Sequence, residues 1–240
     1  MYHHFSDNFK INYPITASIM IRKSTGLILA FDVEWDVKRS VAFLSGINDL
    51  IDAVKIGWYQ LLNIGPQGIR ELIRNVNKYF LADFKLGDVA HINEYVIRRI
   101  HELGINGIIM HAVTGRENLV APVSIARELG IDVYLLVSMS LGGELYDKSL
   151  DYNISLGMSV GVGGFVVPAT KPSIIRRIRS IVGDKYQLLS PGVGVQGGKP
   201  GCAIANGADF EIVGRSIINS ESPRETAVNI ISAIKNPSNC

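Results

Sequence analysis

Charge is scarce in this 240-residue sequence: 19% of positions are charged, and 24 basic against 22 acidic residues leave a formal net charge of +2. A nucleic-acid binder ordinarily presents a strongly basic face, so that role is excluded as the main task. Cysteine is scarcer still, with only Cys202 and Cys240. Two are too few for a disulfide framework, and with one of them the last residue the sequence predicts two free thiols in a reducing cytoplasm. No apolar run approaches the roughly 18 residues that span a bilayer, and Met1–Tyr13 has no apolar stretch ahead of a small-residue cleavage site. The expectation is a cytoplasmic protein without membrane contact. No H-x-x-x-H, C-x-x-C or nucleophile-elbow motif is read, so neither a metal site nor a triad hydrolase is expected.

What the sequence has in abundance is apolar residues, at 47%, and glycine, at 24 positions. That apolar content excludes disorder. Short runs rich in Ile, Leu and Val recur at Leu27–Phe31, Ala53–Ile56, Phe80–Phe84, Gly107–Met110, Val133–Val137, Gly164–Val167, Gln187–Leu189 and Phe210–Val213. Runs of this length read as strands buried on both faces. Between them lie segments of helical spacing, such as Ile92–Leu103 and Pro172–Val182, the latter with Arg176, Arg177 and Arg179 on a solvated face. Alternating strands and helices of this number predict a single (β/α)8 barrel over residues 26–240, preceded by an extension over 1–25. A doubly wound open sheet is the alternative. Its G-x-G-x-x-G fingerprint is missing, because Asp32-Val33-Glu34-Trp35 follows the first strand.

The few charges cluster where a barrel performs chemistry, at the C-terminal ends of its strands. Strand 1 ends in Asp32, strand 2 carries Lys55, and strand 3 ends in Asp83-Phe84-Lys85, with Asp88 just beyond. Asp83 and Lys85 are two apart, so a strand points them to one face and Phe84 to the other. Such a cluster either closes the barrel top as a salt-bridge network or stabilises reacting groups. Burying ions costs several kcal/mol each, which an apolar layer would avoid, so the functional reading is favoured.

The glycines gather on the opposite side of the mouth. Strand 7 runs into Ser190-Pro191-Gly192-Val193-Gly194-Val195-Gln196-Gly197-Gly198, and strand 8 into Gly214-Arg215-Ser216. Loops after strands 7 and 8 are the usual phosphate site of this fold, and Arg215 adds a guanidinium suited to a phosphate. A phosphorylated substrate across the mouth is the expectation. His111, ending strand 4, reads as a satisfied structural histidine; His3 and His4 carry no assignment.

Leu29-Ala30-Phe31-Asp32, Val54-Lys55-Ile56-Gly57 and Ala82-Asp83-Phe84-Lys85-x-x-Asp88 together resemble the orotidine 5′-phosphate decarboxylase family, especially its compact archaeal form. Ser138-Met139-Ser140, Val167-Pro168-Ala169-Thr170-Lys171-Pro172, the Ser190–Gly198 loop and Ile212-Val213-Gly214-Arg215-Ser216 extend the resemblance to nearly the whole barrel. It implies decarboxylation of orotidine 5′-monophosphate to UMP without metal or cofactor. By position, Lys85 protonates C6, Asp83 crowds the substrate carboxylate, and Lys55 and Asp88 complete the array. Asp32 and Lys55 hold ribose hydroxyls, Ser140 bonds the pyrimidine, Gln196 bridges base and phosphate, Pro191 lines the substrate seat, and Gly214 with Arg215 grips the phosphate. The resemblance also implies a homodimer in which Asp88 enters the partner's site. Ile92 stands where the family usually has a threonine.

Sister sugar-phosphate enzymes share D-x-K-x-x-D but use Mg²⁺ and carry glutamate at the strand-2 position, where this chain has Lys55. A non-catalytic nucleotide-binding barrel is the remaining alternative, and it would be expected to have lost a member of the charged array.

Overall fold

The apolar runs become the staves of a closed barrel. A computed structural model of the chain describes residues 20–237 and 240; most of the 1–25 extension, His3 and His4 included, lies outside the described residues. The strands are β1 (Leu27–Ala30), β2 (Ala53–Gly57), β3 (Tyr79–Leu86), β4 (Gly107–His111), β5 (Asp132–Leu136), β6 (Gly164–Val166), β7 (Gln187–Pro191) and β8 (Phe210–Val213). All neighbours pair in parallel, and β8 returns to β1 through Leu27↔Glu211, Ile28↔Ile212 and Leu29↔Val213. That pairing excludes the open sheet. The helices are α1 (Val37–Ile47), α2 (Trp58–Asn75), α3 (Ala90–Leu103), α4 (Val120–Glu128), α5 (Glu144–Lys148), α6 (Leu150–Val160), α7 (Pro172–Val182), α8 (Cys202–Ala205), α9 (Arg215–Ile218) and α10 (Pro223–Lys235).

Alternation along each strand sorts its side chains. Ile28, Ala53, Leu81, Ile109, Leu136, Val166, Leu189 and Ile212 fill the barrel interior, while Leu27, Leu29, Val54, Ile56, Phe80 and Ala82 pack outward against the helices. Both faces are buried, hence the unbroken apolar runs. A Gly157-Met158-Ser159-Val160-Gly161 stretch does match the nucleophile-elbow pattern, contrary to expectation. It lies across the end of α6, and the Ser159 hydroxyl donates to the Leu156 carbonyl at 2.8 Å, so it forms no strand-to-helix nucleophile turn.

Polar side chains close the barrel at the strand starts. Tyr79 donates to Asp132 and Tyr134 to Gln187, each at 2.8 Å, and the Gln187 amide donates to the Ile21 carbonyl at 2.8 Å. Gly107 has no side chain, which leaves room for the Tyr79 hydroxyl. Ile21 is buried against the interior cluster. Asp52 fixes the incoming segment by accepting backbone N–H bonds from Ser24, Thr25 and Gly26, the last at 2.7 Å. The strand starts are therefore plugged and the C-terminal ends left open.

Two further expectations do not hold. Cys202 and Cys240 are not free thiols but form a disulfide, their Cα atoms 5.2 Å apart across a sequence separation of 38. The backbone at Gly201 lies so close to the Ala233 carbonyl of α10 that a Cβ would collide with it, and this packing brings α8 to the chain end. The bridge also removes the thiol argument for a reducing compartment. The α7 arginines are not all solvated: Arg179, 18% exposed, pairs with Asp209 at 2.6 Å, and Arg176 bonds Asn206, whereas Arg177 pairs with Asp151 at the surface.

Asp52→Ala is expected to destabilise the fold by about 2–3 kcal/mol, because three buried or half-buried N–H groups lose a charged acceptor; chemical denaturation measures it. Reduction of the disulfide, or Cys202→Ser, is expected to cost about 2–4 kcal/mol by the same measurement.

Candidate active site

At the open end lies a cavity of about 490 Å³ with an apolar bottom that includes Ile109, Leu136, Val166 and Ile212. Asp32, Lys55, Asp83 and Lys85 form one wall; Ser140, Pro191, Gln196, Gly214 and Arg215 line the rest. Nine of the ten site residues expected from sequence are thus brought together. The tenth, Asp88, is exposed and caps its own loop, its carboxylate accepting the Val89 N–H at 2.7 Å.

The charged wall is a chain of alternating sign. The Lys55 ammonium sits 2.8 Å from Asp83 Oδ2 and 3.5 Å from Asp32 Oδ2, and Lys85 reaches Asp83 Oδ1 at 3.0 Å. Lys55 and Asp83 are buried, with side chains 8% and 11% exposed, while Lys85 is 47% exposed to the cavity. Burial pulls the Lys55 pKa down, but the Asp83 and Asp32 carboxylates outweigh it and hold the pKa above its ordinary value. Burial would likewise raise Asp83, and the two ammonium groups together keep it below the usual carboxylate value. Both groups are held charged. Asp32 is oriented by the Gly57 N–H at 3.1 Å, and a Cβ on Gly57 would strike that same carboxylate oxygen.

Local backbone geometry aims Lys85. The β3–β4 register shifts between Ala82 and Leu86, a bulge, and Lys85 adopts φ 44 in the left-handed region. Parity survives the bulge, since Phe84 still points outward and stacks on Trp58 at 4.7 Å between ring centroids. Trp58 also donates its indole N–H to the Phe84 carbonyl at 3.0 Å, buttressing the bulge from outside. Sequence reasoning passed over Trp58, although its place directly after Gly57 at the end of β2 was a signal. It also missed the tie of Ser138 to Asp147 at 2.7 Å and of Asp147 to Lys171, which fixes α5 behind the Ser140 loop. No spacing rule connects those residues.

Opposite the charges, the β7 loop folds tightly on itself: Gly194 N–H bonds the Gly198 carbonyl at 2.8 Å and Gly198 N–H the Gly192 carbonyl at 3.0 Å. Gly192, at φ 99, leaves space filled by the Ser140 hydroxyl and the Gln196 amide, which a Cβ would approach to 3.2 and 3.3 Å. Exposed Arg215 makes no ion pair with another described residue. His111 is satisfied as expected, its Nδ1 bonded to the Tyr146 hydroxyl. Among the described residues no three His, Cys, Asp or Glu side chains are grouped to hold a metal ion, and no helix is long and apolar enough to cross a membrane.

Comparison with known proteins places this arrangement. Residues 25–230 match the model of the orotidine 5′-phosphate decarboxylase / HUMPS family. An orotidine 5′-phosphate decarboxylase of Methanococcoides burtonii is 37% identical over 212 residues, covering 88% of this chain and 97% of that protein. One from Methanosarcina mazei is 35% identical over 217 residues, covering 90% and 97%. Among solved structures, orotidine 5′-monophosphate decarboxylase from Sulfolobus solfataricus superposes with TM-score 0.81 at 29% identity, covering 89% of this chain and 99% of that one. The Methanocaldococcus jannaschii enzyme complexed with the inhibitor BMP gives 0.79 at 29% identity, covering 86% and 97%.

Replacing Asp83 by Asn leaves the Lys55 ammonium buried with only Asp32, 3.5 Å away, and is expected to destabilise by about 3 kcal/mol. The sign of the pH dependence follows from the shifts. Stability from Asp83 is present above its ordinary 3.8 and lost as pH falls through its depressed folded value. Stability from Lys55 is present below 10.5 and lost as pH rises through its raised folded value. Urea denaturation across pH is expected to show the acid-side loss in the wild type and a shallower one in Asp83→Asn.

Proposed function

The chain belongs to the orotidine 5′-phosphate decarboxylase / HUMPS family, and on that footing we propose that it converts orotidine 5′-monophosphate to UMP and CO₂ without a metal or cofactor. The observation that carries this reading is the Lys55 ammonium lodged between the carboxylates of Asp83 and Asp32. A Mg²⁺-dependent sister enzyme would need acidic ligands free to bind the ion. Here both carboxylates already neutralise a fixed cation.

The chemistry follows from the charges. With the substrate's phosphate toward Gly214 and Arg215 and its ribose against Asp32 and Lys55, the base lies over the apolar bottom beside Ser140 and Gln196. Pro191 packs along the same seat. The substrate carboxylate then faces Asp83, an anion that Lys55 and Lys85 keep ionised. The bond from C6 to the carboxylate breaks, CO₂ departs, and the electron pair stays on C6. The Lys85 ammonium stabilises that charge and donates its proton to C6, giving UMP and a neutral amine that regains a proton from water. Such stabilisation acts on the transition state more than on the bound substrate. Phosphate binding at the far side helps hold the loops closed during the step.

Asp88 completes the array from a second copy in a homodimer. Supporting this, Asp88 is exposed, and the helices that flank β3 in sequence carry exposed apolar side chains, Trp58 and Leu62 on α2 and Ile92 and Tyr95 on α3, from 38% to 80% exposed. The catalytic unit is the barrel over 26–240, residues 1–25 take no catalytic role, and the cytoplasm is its compartment.

The test follows the absorbance of orotidine 5′-monophosphate in the presence of EDTA. Metal-independent loss of substrate is expected. Lys85→Ala is expected to lower turnover on the order of a thousandfold or more while still binding UMP. Near-normal turnover in that variant, or dependence on Mg²⁺, overturns the reading; tight UMP binding without any turnover in the wild type marks a binding protein instead.

A further inference from the structure

Lys85 needs support from both sides of the chain. A left-handed backbone is strained at a residue with a side chain and persists only where its surroundings fix it. Upstream, Asp83 holds the ammonium at 3.0 Å. Downstream, pairing with β4 resumes at Leu86↔Met110, and the next residue, Gly87, lies against the His111 ring. A Cβ on Gly87 would come 3.0 Å from His111 Cδ2 and 3.2 Å from His111 Cβ. The imidazole is itself braced: Nδ1 bonds the hydroxyl of buried Tyr146 on α5, the ring centroids 5.8 Å apart.

We propose that His111, braced by Tyr146, is a positioning residue for the reaction: its ring backs the Gly87 turn and thereby aims the Lys85 ammonium at the carbon that loses CO₂. The inference rests on the decarboxylase reading above. It predicts a pH signature as well as a rate effect. Lys85 and Asp83 face the imidazole from β3 and Tyr146 from α5; Leu136, paired with His111 from β5, is uncharged, and the Thr114 hydroxyl bonds the His111 carbonyl. Burial, then the Lys85 charge, hold the His111 pKa below 6.5, with Asp83 opposing. The ring is therefore neutral at pH 7, and acidification sets a second cation beside Lys85.

The experiment compares full-length wild type, His111→Gln and Tyr146→Phe by kcat, KM, UMP affinity, thermal midpoint and the pH profile of kcat from about 5 to 8. In His111→Gln, kcat is expected to fall tenfold to a hundredfold, of the order that small misplacements produce, with UMP affinity within about twofold. The wild-type kcat is expected to drop in acid with a midpoint below 6.5, and that step is expected to vanish in His111→Gln. Tyr146→Phe is expected to keep the step at a shifted midpoint with a smaller loss of kcat, and it decides the matter by that shift if His111→Gln does not fold. Unchanged kcat, an acid step that survives in His111→Gln, or a parallel fall of kcat, UMP affinity and thermal midpoint overturns the inference. A wild type without decarboxylase activity sinks the functional reading and this inference together; an active wild type with an equally active His111→Gln sinks this inference alone.

Discussion

The site depends on one ion pair, Lys55 with Asp83, 2.8 Å apart and almost wholly withdrawn from water. Neither charge is tolerable alone at that depth, so the two must be placed together or not at all. Parallel register places them: β2 and β3 run side by side with Lys55 opposite Leu81, and Asp83 rises two residues further toward the mouth. Asp32 and Lys85 then attach to the ends of the pair, extending the row of alternating sign. Charge is thereby fixed before any substrate arrives, which is the condition under which electrostatic stabilisation needs no reorganisation.

The same arrangement explains the asymmetry of the barrel. The strand starts are sealed by hydrogen bonds, from Tyr79 to Asp132 and from Gln187 to the Ile21 carbonyl, and by Ile21 itself, while the strand ends carry a row of ions around an open cavity. Stability and chemistry occupy opposite ends, so strain near the mouth does not threaten the closed end. The Trp58–Phe84 stack and the His111–Gly87 contact support the bulge from the outer side and from β4, respectively.

Much of this was legible in the residue order because the physics was local. Runs such as Gly107–Met110 and Phe210–Val213 mark doubly buried strands, and Asp83 and Lys85 share a face by simple alternation even across the bulge. What escaped depended on distant parts of the chain. Asp147 finds Ser138 and Lys171 only once the loops after β5 and β6 converge. Cys202 finds Cys240 only because α10 packs back on α8. The left-handed turn at Lys85 escaped for the opposite reason, since local propensity argues against it. The Ser159 pattern was overlooked in the residue order without consequence, since a helix end gives it no nucleophile geometry.

The Cys202–Cys240 bridge reaches beyond its own neighbourhood. A chain end past its last helix ordinarily frays, opening and reclosing without disturbing the rest. Here the covalent link makes a closed ring of β8, α9 and α10, and β8 is the stave that meets β1 to complete the barrel. With the bridge intact, α10 has no loose end from which to unravel, because its far side is tied back to α8. Fraying that would start past the last helix must first move the whole closed loop, β8 included, rather than one residue at a time.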